Sequence, residues 1–218
     1  MTYEQIINDE SIKIYIRRSD ETLGALGYTE HSFAHVGNVA SRAGKILDIL
    51  EYPKRTVELA KIAGYLHDIG NLVNRSEHSQ SGALMAFRIL DKMGFPADEI
   101  ATVVSAIGNH DEGTGVPVNP VAAALILADK SDVRRSRVRS REFSSFDIHD
   151  RVNYSVIDSE LVISEDKKSV TLMLKVDTQF SSVMDYFEIF LNRMVLCRQA
   201  ADRLGMQFHL LFNDQQML

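Results

Sequence analysis

Ile62-Ala63-Gly64-Tyr65-Leu66-His67-Asp68-Ile69-Gly70 is the stretch on which the reading of this chain turns. Val57, Leu59, Ala60, Ile62, Ala63 and Leu66 recur at helical spacing, and the run then ends on an imidazole, a carboxylate and a glycine. A charged pair at the end of an apolar, buried helix needs a partner that offsets its desolvation, and a metal ion supplies one. The dipeptide alone decides nothing. With seven histidines and seventeen aspartates in 218 residues, random placement gives roughly half a His-Asp pair, yet His110-Asp111 and His149-Asp150 are present as well. The apolar helix before His67-Asp68 sets it apart, whereas His149-Asp150 lies in a polar stretch and reads as surface.

Outward from this point, the first ~150 residues read as helical. Val36, Val39, Ala43, Ile46, Leu47 and Leu50 mark one helix face before the central motif. After it, Ser79 or Ser81 is placed to cap a helix through Ala83, Ala86, Phe87 and Leu90, which Gly94 closes. Pro96 opens the next, through Ile100, Val103 and Ile107, and Pro120 opens an alanine-rich helix ending near Asp129. From about Asn153 the pattern changes. Val170, Leu172, Leu174 and Val176 alternate with Thr171, Met173 and Lys175, the period of a strand, and Glu165 to Lys168 reads as the turn of a hairpin. Phe180 to Leu204 returns to helical spacing, and Phe208 to Phe212 reads as a last strand. The expected fold is mainly α: a helical bundle over 1–152 with a small α+β appendage over 153–218.

The composition, 45% hydrophobic and 25% charged over 218 residues, is that of an ordinary globular protein. No apolar run approaches the ~20 residues that cross a bilayer, and Met1 to Lys13 lacks the apolar core of a secretory leader. A cytoplasmic protein with no membrane partner is expected. A single cysteine excludes an internal disulfide and a cysteine-built zinc site. The acidic balance speaks against nucleic acid as the main partner. The glycines at 24, 27, 37 and 44 lack the lysine and spacing of a phosphate-binding P-loop.

Five histidines (His31, His35, His67, His78 and His110) fall at or near predicted helix ends, as does Asp129. Helix ends in a bundle can converge, and imidazole with carboxylate is a ligand set for zinc, iron or manganese. Each histidine singly is also compatible with a cap, a core position or the surface. Beyond Asp129 runs Lys130-Ser131-Asp132-Val133-Arg134-Arg135-Ser136-Arg137-Val138-Arg139-Ser140-Arg141, with five arginines in eight positions. Lys130, Arg134, Arg135 and Arg137 are read as a phosphate clamp, Arg134 and Arg137 sharing a helix face. A solvated basic face is the alternative. Glu77, Asp111 and Glu112 are candidates to move a proton but read as surface. The stripe of Phe187, Phe190, Leu191, Met194 and Val195 reads as core or as the face of a homodimer.

Taken in order, these motifs resemble the HD-domain superfamily of metal-dependent phosphohydrolases. His35-Val36-Gly37-Asn38-Val39-Ala40 resembles its first motif, Gly64 to Gly70 its second, and Leu127-Ala128-Asp129-Lys130 its last. The resemblance implies a helical bundle in which His35, His67, Asp68 and Asp129 hold a metal. It also implies that His78 and His110 complete a second site, with Asp68 as the shared, catalytic carboxylate. The cofactor would be one or two divalent ions of iron, manganese, zinc or magnesium. The substrate would be a small phosphorylated molecule, a nucleotide for example, cleaved at an ester or anhydride bond by activated water. Asn71 stands where many relatives carry lysine, a departure from the cyclic-dinucleotide phosphodiesterase branch. The alternative function is a sensory or regulatory protein that binds nucleotide or metal on the same fold without turnover.

Overall fold

The computed structural model describes residues 1–140 and 142–217. Its helices are α1 (Tyr3–Asn8), α2 (Glu10–Ala25), α3 (Phe33–Ile49), α4 (Lys54–Leu66), α5 (His78–Lys92), α6 (Ala97–Gly108), α7 (Pro120–Lys130), α8 (Ile148–Ser155) and α9 (Val183–Arg203). The strands are β1 (Val156–Ile163), β2 (Ser169–Val176), β3 (Gln207–Phe212) and β4 (Gln215–Gln216). The fold is mainly α, with a small four-stranded sheet near the C-terminus, as its residue pattern predicts.

Helix α7 is the axis. Asn119 caps it by accepting from the Ala122 amide, Pro120 opens it, and every residue from Val121 to Lys130 is buried. A helix apolar all round belongs in the middle of a bundle, and α3, α4, α6 and α9 all pack against α7. Ser32 caps α3. Gly64 brings α4 close to α3: a side-chain carbon there would lie 2.7 Å from the Ala40 Cα. This close approach lets the two helices carry His35 and His67 to one point.

Helices α1 and α2 lie within the stretch read as helical, and α2 buries Ile12, Ile16, Ser19 and Leu23 on one face. Helix α2 covers the turn that follows His67-Asp68, where the Ser19 hydroxyl donates to the Asp68 carbonyl at 3.0 Å. Helix α5 begins at His78, so neither Ser79 nor Ser81 is its cap; Glu77 stands before it with left-handed backbone, φ 58°.

In the sheet, β1 pairs antiparallel with β2, β2 parallel with β3 across the α9 crossover, and β3 antiparallel with β4. Val170, Leu172, Leu174, Phe208, Leu210 and Phe212 point inward and join the same core as the helices. The 152/153 division expected from the sequence falls inside α8. In α9, Phe190 and Met194 are buried, Phe187 packs on the core, and Leu191 is exposed. No helix among the described residues is long and apolar enough to cross a membrane.

Candidate metal centre

Four imidazoles are fixed in the same manner. His67 Nδ1 lies 2.8 Å from the Gly64 carbonyl, His78 Nδ1 3.1 Å from the Arg75 carbonyl and His110 Nδ1 2.6 Å from the Ile107 carbonyl. Each acceptor is three residues back, a carbonyl left free where the helix or turn ends. His35 Nδ1 is held instead by the Asp132 carboxylate at 2.7 Å. A proton engaged on Nδ1 leaves the lone pair on Nε2, the second-shell pattern that orients metal-binding histidines.

Those Nε2 atoms converge on two aspartates. Asp68 Oδ2 lies 3.4 Å from His35 Nε2 and 3.2 Å from His67 Nε2, while Asp129 Oδ1 lies 3.4 and 3.7 Å from the same atoms. On its other side, Asp68 Oδ1 lies 3.6 Å from His78 Nε2, which is 3.2 Å from His110 Nε2. The centre therefore has two halves, with Asp68 between them. His35, His67, Asp68, His78 and His110 are buried, and Asp129 is 9% exposed.

The cluster leaves two imidazole nitrogens orphaned. Nε2 of His35 and of His67 are buried and have no hydrogen-bond partner, which costs about 1–3 kcal/mol each. Burial pushes the His67 pKa down, but the Asp68 and Asp129 carboxylates outweigh it and raise it to about 10. His35 is raised in the same sense against burial and Arg137, by its contacts with Asp129, Asp132 and Asp68. Burial opposes ionisation of Asp68 and Asp129, yet the histidines around both, and Lys130 beside Asp129, hold them well below the usual carboxylate range. His78 and His110 are shifted down, chiefly by burial, and stay neutral. Imidazole nitrogens beside ionised carboxylates, with His78 and His110 neutral, are the donor set of a divalent transition ion. The donor atoms of His35, His67 and Asp129 lie within 4.8 Å of one another, as do those of His67, Asp68 and His110.

The centre opens into a cavity of about 560 Å³. Lys130 lies in its wall, with Nζ 2.7 Å from Asp129 Oδ2 and 3.5 Å from Glu112 Oε1. Arg137 also lines it, buried, donating to the Glu30 and Asp132 carbonyls. Arg134 and Arg135 are not among its walls. Helix α7 ends at Lys130, Arg134 is extended (φ −160°, ψ 147°), and Arg135–Arg137 is a single 3₁₀ turn. The shared helix face expected for Arg134 and Arg137 therefore does not form. Arg134 pairs with Glu30 and Asp132, and Arg135 stacks on Tyr154 and Phe180. Arg139 pairs with Asp20, and Arg141 lies outside the described residues.

Two cavity residues, Arg75 and Arg193, escaped the sequence reading. Arg75, three residues before His78, lines the cavity with Nη1 3.3 Å from Asn71 Oδ1 and 3.4 Å from His78 Nε2. Arg193, on α9, reaches Glu112 at 2.8 Å, and nothing near it in the chain points there. Glu112 is half-buried; Lys130 and Arg193 overcome its burial and keep it ionised. His31 lines the cavity, its Nδ1 2.7 Å from the Thr29 carbonyl, and burial holds it neutral. Asp132 was legible only as part of the basic run, though it stands behind His35. Exchanging Asp132 for Asn keeps an acceptor for the imidazole but removes its charge. Metal affinity, read by competition with a chromogenic chelator, is expected to fall about 10-fold or more, and unchanged affinity would refute this role for Asp132.

Residues 32–134, which hold both halves of the centre, match the family model of the HD domain. This segment is an HD domain. The match suggests the superfamily of metal-dependent phosphohydrolases. The chain is 29% identical over 164 residues to an uncharacterized protein of Methanocaldococcus jannaschii, a match covering 64% of this chain and 62% of that protein. The chain thus spans less than two thirds of that relative's length. No solved structure matches the chain significantly.

Proposed function

We propose that this HD domain hydrolyses the phosphate ester or anhydride bond of a small phosphorylated molecule, with one or two divalent cations as cofactor. The observation that carries the reading is the common orientation of four imidazoles, each tied at Nδ1 and turned at Nε2 toward Asp68 or its neighbours. His35, His67, Asp68 and Asp129 would hold the first cation, and His78, His110 and the second oxygen of Asp68 another. Such ions lower the pKa of water and offset charge on a phosphoryl group.

The chain's own side chains do the rest. Arg75 and Arg137 bind phosphoryl oxygens from the cavity wall. Lys130 keeps Asp129 ionised and oriented. Glu112, paired with Lys130 and Arg193, holds those cations in place and has no proton to give. His31, its Nδ1 tied to the Thr29 carbonyl, packs against His35 in the wall and orders that side of the centre. Burial of the whole cluster strengthens each of these interactions by excluding solvent.

The test removes and restores the metal. Protein stripped with a chelator is reloaded separately with Mn²⁺, Fe²⁺, Zn²⁺ and Mg²⁺, and metal content and phosphate release from a panel of phosphorylated compounds are measured. Stripping is expected to abolish release and one of the ions to restore it. Release that persists at full rate without metal, or failure to take up any metal, would refute the reading. Tight metal and nucleotide binding with no turnover would mark a binding protein instead.

A further inference from the structure

The cavity walls distinguish among phosphorylated substrates. Four cationic side chains and five carboxylates line the cavity, so the chain itself contributes a net charge of −1 there, histidines taken as neutral. One divalent ion makes this +1 and two make it +3. A phosphomonoester carries about −2 near neutral pH, which the cavity loaded with two ions balances. A triphosphate carries about twice that charge and leaves the cavity negative with either one ion or two.

The distribution of charge sharpens the point. Lys130 is paired with Asp129 and Glu112, Arg193 with Glu112, and Arg137 lies 4.0 Å from Asp132. Among the described residues, Arg75 is the cavity-lining cation with no carboxylate within 4.0 Å, and it stands beside His78 at the metal centre. The free positive charge is thus at the floor. The mouth is acidic: α8 places exposed Asp147 and half-buried Asp150 there. His149 lies 3.7 Å from Asp147. A second phosphate extending outward from the centre would meet these carboxylates, with no unpaired cation to receive it. The remaining mouth is suited to an uncharged group. Asn153 and Asn192 offer amides, and the aspartates accept from hydroxyl or N–H donors.

We infer that the substrate is a phosphomonoester of a neutral, hydrogen-bond-donating alcohol, such as a nucleoside. It is not a nucleoside triphosphate, a dinucleoside polyphosphate or a cyclic dinucleotide. This rests on the phosphohydrolase reading above and narrows it.

Metal-loaded protein is assayed with the four ribonucleoside 5′-monophosphates, the matching 5′-triphosphates and a cyclic dinucleotide. The best monophosphate is expected to exceed every triphosphate and the cyclic dinucleotide by at least about tenfold in kcat/KM. In the double variant Asp147→Asn, Asp150→Asn, the ratio of triphosphate to monophosphate kcat/KM should rise about three- to tenfold, because like charges at the mouth have been removed. Asparagine also caps helices, so α8 keeps its start. A wild-type preference for triphosphate or cyclic dinucleotide, or a ratio unmoved in the double variant, overturns the inference. If no compound is turned over, the phosphohydrolase reading fails by itself. The same compounds are then compared by calorimetric binding to the metal-loaded protein: tighter monophosphate binding upholds the cavity argument, and tighter triphosphate binding overturns it.

Discussion

Alanine at position 68 is expected to leave the centre without metal and to lower kcat/KM by about 10³-fold or more. Asp68 is the side chain that touches both halves: Oδ2 faces His35 and His67, and Oδ1 faces His78. Removing it takes away a buried negative charge that opposes the desolvation of His67, so both halves lose a donor and the attraction for a cation falls together. The scaffold should survive. His67, His78 and His110 remain tied to backbone carbonyls, and His35 to Asp132. Metal content by mass spectrometry is expected to drop to near zero while circular dichroism stays that of the wild type. A variant that keeps stoichiometric metal, or wild-type turnover, would remove Asp68 from the role assigned to it. Loss of the fold would instead place Asp68 among the residues that hold the bundle together.

The ligand residues were legible because their signal is local. Whether His67 ends a helix depends on the thirteen residues of α4, and the alternation of β2 is visible in eight. What was not legible is direction after an element ends. Lys130 to Arg139 is rich in cations, but proximity to Asp129 in sequence does not say which way the chain leaves α7. It leaves extended at Arg134 and then makes one 3₁₀ turn over Arg135–Arg137. That turn carries Arg137 to the cavity, while Arg134 pairs with Glu30 and Asp132 and Arg135 stacks on Tyr154. The two cavity cations not foreseen, Arg75 and Arg193, come from a turn and from a helix, Arg193 lying 64 residues beyond Asp129 in a differently patterned region. Only the tertiary packing of α9 on α7 brings Arg193 to Glu112. Helix α1, six residues started by the Thr2 cap, is too short to carry a periodic signal and depends on packing. Helix α2, capped by Asp9, buries Ile12, Ile16 and Leu23 at helical spacing within the stretch read as helical.

Gly70, the last residue of the decisive stretch, tests how the motif is built. Its backbone is not left-handed, so conformational freedom is not what requires glycine here. The requirement is space. A Cβ on residue 70 would collide with the His78 carbonyl oxygen and the Gly82 nitrogen, and would lie 2.7 Å from Ser81 Oγ. Two of these atoms are backbone of α5, which cannot turn aside as a side chain can. Alanine at position 70 must therefore push the first turn of α5 outward, and His78 sits on that turn. The expected cost is about 3 kcal/mol or more, a fall in Tm of roughly 6–12 °C for a chain of this size. Metal bound by the half containing His78 should weaken with it. Gly37 is the control. It lies within α3 with nothing inside 4 Å of its missing side chain. Gly37→Ala is expected to stabilise by about 0.5–1 kcal/mol through helix propensity alone. Equal melting temperatures for the two alanine variants would show that the turn after His67-Asp68 is slack. Separation in opposite directions would show that the glycine of this motif sets the distance at which α5 delivers its histidine.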